Sequence, residues 1–473
     1  MKKIGFIGSI ILLWVSTALA VGIVTNANQS AQYIRTLNRN ASTCVDAAYF
    51  NPAGLTMLGD GIHVYLSNQS IFQTKEITNS ALGDKKFKGT VSAPLFPNVY
   101  LAYKMGSMAF SAGFMPIGGG GSADFADGLP SFESRVAPLA SAPALVAVGV
   151  DAYDLDMAFE GSSIYMGGQV GVSYKLSDMI SIAVGGRFVS VSNTYTGHLT
   201  GIQINPGGVM QSAPTFFTGA AAQYTVGGDA AAAAAAAFAA AGMADSAAYY
   251  TAVATGAYTQ AAYMTGYAAA TADLELEDAT KKGTGFAAII SANISPMDGL
   301  NIGIRYETLT QLELETESDV DIAGVVEDGK KERADMPAML AVGASYKVMP
   351  ELKAECSFNY YMNTGVDWDG AEENVDNGFE GGVAVDYKLS DDLRASAGFL
   401  YTQKGAKDEY QTDLDFTLNS ITVGLGVGYA LSDNLGLDVG VANTFYTEGQ
   451  NAAGTEAYNK TSIDFAVGVH YSF

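Results

Sequence analysis

Ser462-Ile463-Asp464-Phe465-Ala466-Val467-Gly468-Val469-His470-Tyr471-Ser472-Phe473 ends the sequence and decides its fold. Ile463, Phe465, Val467, Val469, Tyr471 and Phe473 alternate with Asp464, Ala466, Gly468, His470 and Ser472. A period of two sends successive side chains to opposite faces, so the stretch is a strand with one greasy face and one small or polar face. A soluble sandwich needs a voluminous packed core behind its apolar face. A wall facing lipid accepts glycine and charge on the other side, because that side meets a lumen. The preceding stretch repeats the pattern, with Leu435, Leu437, Val439 and Val441 set against Gly436, Asp438, Gly440 and Ala442.

Followed backwards, the same alternation predicts strands near 61–74, 95–104, 107–115, 163–175, 179–193, 272–292, 299–316, 336–347, 351–363, 377–388, 392–403, 417–430, 434–447 and 460–473. The number is even, as bacterial single-chain barrels require, and ten tilted residues project to roughly 25 Å, the height of the apolar band. Short connections alternate with long ones, as periplasmic turns alternate with extracellular loops. The short turns share a near-repeat, Tyr174-Lys175-Leu176-Ser177-Asp178, Tyr387-Lys388-Leu389-Ser390-Asp391 and Tyr429-Ala430-Leu431-Ser432-Asp433, with a divergent copy at Tyr346-Lys347-Val348-Met349-Pro350. Each tyrosine takes the outward parity that suits a membrane interface, and Ser and Asp start a tight turn. An open sheet edge in lipid strands backbone groups without partners, so the sheet must close. The expected fold is all-β: a 14-stranded antiparallel transmembrane β-barrel over residues 61–473.

The opposite end sets the compartment. Residues 1–20 carry Lys2 and Lys3, an apolar stretch from Ile4 to Val15 and the finish Ala18-Leu19-Ala20, the pattern of a secretory signal peptide cleaved before Val21. The expected location is the outer membrane of a Gram-negative-type bacterium, in contact with its lipid and lipopolysaccharide. The terminal strand ending at Phe473 would be what the barrel-assembly machinery receives. Abundant glycine (54), tyrosine (26) and phenylalanine (22) with only 12 prolines suits many strands. A formal charge of −24 speaks against nucleic acid, whose phosphates call for a basic face. The acidic residues gather in the expected outer loops, among them Glu313, Glu315, Glu317, Asp319 and Asp321, and read as a solvated surface. Cys356 takes the outward parity, which predicts that it and Cys44 stay free thiols.

Two segments do not read as wall. Residues 21–60 mix Asn, Gln, Ser and Ala with short apolar runs, and an alanine-rich insertion at about 200–271 holds eight successive alanines from Ala230 to Ala237. Alanine favours helix, so a helical extracellular loop is one reading and a low-complexity excursion the other. No enzyme is expected: His63, His198 and His470 are isolated on different elements, there is no metal-ligand spacing, and neither a nucleophile elbow nor a phosphate-cradling loop is present. No cofactor is expected either.

Asp46-Ala47-Ala48-Tyr49-Phe50-Asn51-Pro52-Ala53-Gly54-Leu55 follows the signal peptide. Pro97-Asn98-Val99-Tyr100, Phe114-Met115-Pro116 with the glycines Gly118 to Gly121 beyond it, and Met336-Pro337-Ala338-Met339-Leu340 stand at strand ends. On these stretches the sequence resembles the FadL/TodX-like outer-membrane transporters of long-chain fatty acids and aromatic hydrocarbons. The likeness spans nearly the whole mature chain and departs from the family at the alanine-rich insertion. It implies a small N-terminal hatch, here 21–60, that plugs the barrel from inside. It also implies binding of hydrophobic compounds, most of all long-chain fatty acids, in apolar pockets, with hatch-gated passage through the wall near a kink in the third strand. Asn51, Pro52, Ala53, Gly54 and Leu55 would form the hatch segment, with Gly113 and Pro116 at the kink. Proline removes a ladder donor there and glycine weakens side-chain packing.

Strand parity turns Arg187 and Arg305 inward, in company with Glu307, Lys353 and Arg394. A lumenal arginine can meet a fatty-acid carboxylate, or pair with a carboxylate such as Glu307 and hold the plug; the second reading is preferred for both. Phe50, Leu55, Met57 and Leu58 are the candidate apolar contacts. The rival functions are a water-filled porin and a surface adhesion or structural barrel.

Overall fold

Alternation of large apolar with small or polar residues carries through to fourteen wall strands in the computed structural model, which describes residues 23–319 and 326–473. The signal-peptide reading of 1–20 and the acidic Asp321 lie outside the described residues. The wall runs β1 Gly61–Asn79, β2 Lys85–Met105, β3 Met108–Phe125, β4 Tyr153–Lys175, β5 Ile180–Ile204 and β6 Leu274–Met297. Next come β7, which is Leu300–Glu307 resumed at Glu313–Glu317, and β8, which is Lys331–Arg333 followed by Met339–Met349. The rest are β9 Leu352–Tyr361, β10 Gly378–Lys388, β11 Leu393–Gln403, β12 Ser420–Ala430, β13 Leu435–Tyr446 and β14 Glu456–Ser472.

Neighbours in sequence pair antiparallel all the way round. The ring closes where β1 meets β14, from His63 opposite Ser472 to Asn79 opposite Glu456, and the Phe473 N–H reaches the Ile62 carbonyl. Val427, Val439 and Val467 stand in one register row and all face out, while the alternate Gly426 and Ala466 turn inward. Tyr174, Tyr346, Tyr387 and Tyr429 all face out beside the short turns. Within two of those turns Ser177 Oγ accepts the Ile180 N–H and Ser390 Oγ the Leu393 N–H. Lys175 and Lys388 close onto Asp178 and Asp391 at 2.9 and 2.7 Å. Cys44 and Cys356 are free, and Cys356 is exposed on the outer face.

The structure extends the sequence reading on the long-loop side. Strands β1, β2, β4 and β5 run past their expected ends, and β2 begins at Lys85 rather than near 95. Alternation there continues beyond the membrane band, because an apolar cluster including Ile77, Phe87, Phe125, Phe159, Leu199 and Phe217 packs inside a dome above it. The alanine-rich insertion is a helical hairpin, α3 Ala213–Ala240 and α4 Ala244–Ala270. Ser212 caps its start by accepting the Thr215 N–H, and Gly242 turns it at φ 74°. Phe217 stacks on Tyr267 and Phe238 on Tyr250 between the two helices. At 1.5 Å per residue each helix reaches about 40 Å. No helix among the described residues is long and apolar enough to cross a membrane.

Arginine placed at Val427 or Val467 must be buried in lipid near the middle of the wall, at a cost of roughly 2–4 kcal/mol. Either variant should shift folding into bilayers by that amount in a denaturant titration. Gly426→Arg should leave lipid insertion less affected and crowd Arg35 instead, since a β-carbon at 426 already meets its side chain.

Candidate functional site: a lumenal segment beneath a gap in the wall

Residues 23–58 lie inside the ring. Ser30 starts helix α1 Ala31–Thr36 by accepting the Tyr33 N–H at 2.9 Å, and Leu37 ends it in the left-handed region at φ 56°. A non-glycine residue there costs about 1–2 kcal/mol, so the surrounding packing must hold it. Helix α2 Ala47–Phe50 and a 3-10 turn, Pro52–Met57, complete the segment. Asp46 is its hub: buried, it accepts from Ser30, from Ser42 at 2.6 Å, and from two nitrogens of Arg39 at 2.8 and 3.0 Å. Arg35 carries the link to the wall. It pairs with Asp438 of β13, reaches Ser396 of β11 at 2.7 Å, and lies 3.5 Å from Asp386 of β10.

Inward glycines let this backbone touch the wall. A β-carbon at 398 would lie 2.0 Å from the Thr36 carbonyl, and one at 303 would lie 2.0 Å from that of Asn40. Polar wall residues then answer the segment's own groups. Asn51 donates to Asn293 at 2.7 Å and accepts from Ser291 at 3.2 Å; Ser173 donates to the Pro52 carbonyl at 2.7 Å; Gln169 donates to the Ala48 carbonyl at 2.6 Å. Asn51, Pro52, Ala53, Gly54 and Leu55 are thereby fully enclosed. Gly54 has no room for a side chain, since a β-carbon would sit 2.4 Å from the Ser42 carbonyl.

The candidate contacts from sequence are placed as follows. Phe50 is buried, stacked on Tyr33 at 5.6 Å, and Leu55 is packed between segment and wall. Met57 is half exposed, and Leu58 lines an opening of about 410 Å³ on the short-turn side with Arg35, Arg39 and His470. Arg187 forms a two-pronged pair with Glu307 at 2.8 Å, donates twice to Gln169, and stacks over the Tyr49 ring at 4.9 Å. Arg305 lies 2.9 Å from the same Glu307, donates to the Tyr49 carbonyl, and sits over the same ring at 4.5 Å. Both arginines are thus occupied in holding the lumenal segment.

Gly113 and Pro116 stand at a break in the wall. Between Val91–Ala123 and Val99–Phe114 the β2–β3 ladder is missing, which leaves residues 92–98 and 115–122 unpaired with each other. Pro94, Pro97 and Pro116, which have no N–H to give, lie within these unpaired stretches. Across from β3 its place is taken by the start of the lumenal segment. Thr25 bridges Gly118, Asn26 N–H donates to the Ile117 carbonyl at 2.9 Å, and Gly119 N–H donates to that of Val24 at 3.0 Å. Gln29 donates to the Pro116 carbonyl at 2.8 Å and accepts from Asn98 at 3.0 Å.

A cavity of about 350 Å³ opens at this gap and runs into the lumen. Leu95, Phe96, Pro116 and the glycines 118–121 form its mouth; Tyr33, Ile34, Leu37 and Leu400 supply apolar walls; Lys404, Thr402, Gln73, Ser462 and Asp464 make its far side polar. The loop 404–419 lies alongside, with the Tyr410 hydroxyl receiving the Ile23 N–H at 3.3 Å and donating to Asp415 at 2.8 Å. Burial pushes the Asp415 carboxyl above its ordinary range. Sequence reading missed Arg35, Arg39 and Asp46 as docking charges, and missed Thr25, Ile34 and Leu37 as cavity wall. The available signal was the concentration of two arginines and an aspartate in an otherwise neutral segment meant for a lumen.

Removing one partner of a buried ion pair leaves a bare charge and costs about 3–5 kcal/mol. Asp438→Ala should therefore loosen the lumenal segment while the wall stays folded. It should appear as faster protease cleavage near Arg35 and as new channel openings in planar bilayers.

Residues 338–473 match the family of outer membrane protein beta-barrel domains. No curated protein matches the sequence. Among solved structures, the chain is similar to the Pseudomonas putida toluene transporter TodX, at 14% identity with a TM-score of 0.59, covering 96% of this chain and 100% of that one. It is also similar to a Pseudomonas aeruginosa FadL homologue, at 13% identity with a TM-score of 0.58 and coverage of 95% and 98%. The Ralstonia pickettii toluene transporter TbuX is a third, at 14% and 0.51, with coverage of 91% and 94%. At these identities the likeness is one of fold, and it extends from the lumenal segment to the last strand. The chain is an outer-membrane β-barrel with the fold of the FadL/TodX-like proteins.

Proposed function

We propose that this protein carries hydrophobic compounds, long-chain fatty acids above all, across the outer membrane. In this reading the cargo binds in the lumenal cavity and leaves sideways through the β2–β3 gap. The observation that carries the reading is that the cavity is continuous with that gap, where Pro94, Pro97 and Pro116 fall within the unpaired stretches. A volume of about 350 Å³ falls within the roughly 300–1,000 Å³ of small-molecule pockets. Residues 23–58 serve as the hatch. Val24, Thr25 and Asn26 hold the β3 edge, so a shift of those residues opens the route while the charges around Arg35 and Asp46 keep the rest docked. The known fold relatives named above as toluene transporters and a FadL homologue support the same reading. An open porin fits poorly with a lumen crossed by a bonded segment.

Gly120 lies at the mouth with open space where a β-carbon would go. Gly120→Trp should therefore leave the barrel folded and lower uptake of both oleate and toluene by cells, by about tenfold if the lost contacts and access are worth near 1.4 kcal/mol. Uptake equal to that of the unchanged protein, at equal amounts in the membrane, would count against the lateral route.

A further inference from the structure

We propose that the helical hairpin α3–α4 pairs face to face with the same hairpin of a second copy of this chain, through a side that carries no charge. The inference stands apart from the transport reading. From Ala213 to Ala270 the sequence holds no lysine, arginine, histidine or glutamate, and Asp229 and Asp245 are its only charged residues. The whole chain has 49 acidic and 25 basic residues, so the neutrality is local to the hairpin. A helix face meant for water carries charge, whereas the core of an interface is depleted in charge and enriched in tyrosine.

Most of the hairpin is a single layer. Its two helices bury Ala231, Ala235, Ala254 and Ala261 along the stripe between them. The foot joins the dome through Phe217, Ala221 and Met264, but nothing from residues 222–263 belongs to the dome's apolar cluster. Helices are stable when one layer covers another, and here the second layer is missing. At about 100° per residue, Tyr249, Val253 and Tyr267 fall on one face of α4, and Tyr224, Gly227 and Phe238 on the matching face of α3. All but Phe238 are exposed, Tyr249 to 64%. Near the tip the two stripes are tied together, with Phe238 stacked on Tyr250 and Tyr249 edge-on to the same ring, each at 5.2 Å. The charges lie elsewhere: Asp229 is on the opposite face, where it accepts from the Tyr258 hydroxyl at 2.7 Å, and Asp245 is in the first turn of α4 at the tip.

Size and neutrality together select the occupant. A helix pair about 40 Å long and about 20 Å wide offers roughly 800 Å², the share that each partner gives to a standard interface. A charged partner would lose its hydration against this face and find nothing there to pair with. A second hairpin matches it in length and in lack of charge. The hairpin joins the neighbouring wall strands β5 and β6, which places its foot on the rim of the barrel, so two copies in one membrane present it at the same height. Pairing about a two-fold axis then gives a four-helix bundle. The exposed acids at the foot, Asp273, Glu275, Glu277 and Asp278, oppose the approach, and salt that screens them favours it.

The test is sedimentation of the full folded chain in a non-ionic detergent over a range of protein concentrations. The unchanged chain should form dimers, more tightly at high salt. Val253→Lys/Gln260→Lys puts like charges on the proposed face and should raise the dimer dissociation constant about tenfold or more. Thr251→Lys/Ala262→Lys, with the same added charge on the opposite face, should leave it within about twofold. Mixing the first variant with Val253→Glu/Gln260→Glu should restore the dimer, which only contact between two copies of this face can do. Heat-shifted migration and helical circular dichroism establish that each variant is folded. A monomeric unchanged chain overturns the proposal, whatever lipid or protein the hairpin then contacts. So does a dimer that survives Val253→Lys/Gln260→Lys, one lost equally in both lysine variants, one that the mixture fails to restore, or one that weakens as salt rises.

Discussion

Every backbone N–H and C=O within the hydrocarbon layer must find a partner inside the protein, and the rest of the structure follows from that constraint. It makes the sheet close where β1 meets β14, and it makes the interruption between β2 and β3 informative. Between β2 and β3 the ladder fails over seven or eight residues, yet the β3 edge is not left bare, because Val24, Thr25 and Asn26 bond to Ile117, Gly118 and Gly119. The same residues therefore complete the wall and begin the lumenal segment. Wall integrity and lumen occupancy are one problem with one solution.

Charge does the rest of the docking. A lumen that is closed to solvent makes an isolated ion costly, so Arg35, Arg39, Arg187 and Arg305 each meet a carboxylate on the wall or on the segment itself. Removing either member is severe, which fixes the segment in one orientation. Against this background Lys75 and Lys460 differ in kind. They occupy the same enclosed space, sit opposite each other, and are cushioned by rings rather than by carboxylates.

Glycine links the two levels. Inward glycines on β7 and β11 are where the segment's carbonyls come within a β-carbon's reach of the wall, so side chains there would push it off. The wall is shaped by lipid on one face and by its own N-terminal residues on the other. That is why the inner face reads as small and polar without any periodic core.

Sequence alone determined the strand number, the faces of the wall, its short turns and the unpaired state of Cys356, because a period of two is local and each strand declares its own outer face. It also marked Pro116, which has no donor whatever surrounds it, and Pro116 lies in the stretch where β3 loses its pairing with β2. It did not determine which cation remains unpaired. Arg187 and Lys460 carry the same inward parity, and only the assembled barrel brings Glu307 to the first and Lys75 to the second. Nor could it say what Met57 and Leu37 would touch, one facing solvent on the short-turn side and the other lining the cavity, because those surroundings come from strands hundreds of residues away. Face and turn are written in neighbouring residues. Ion pairing, cavity shape and the partner that fills a gap depend on long-range closure, and only the tertiary structure decides them.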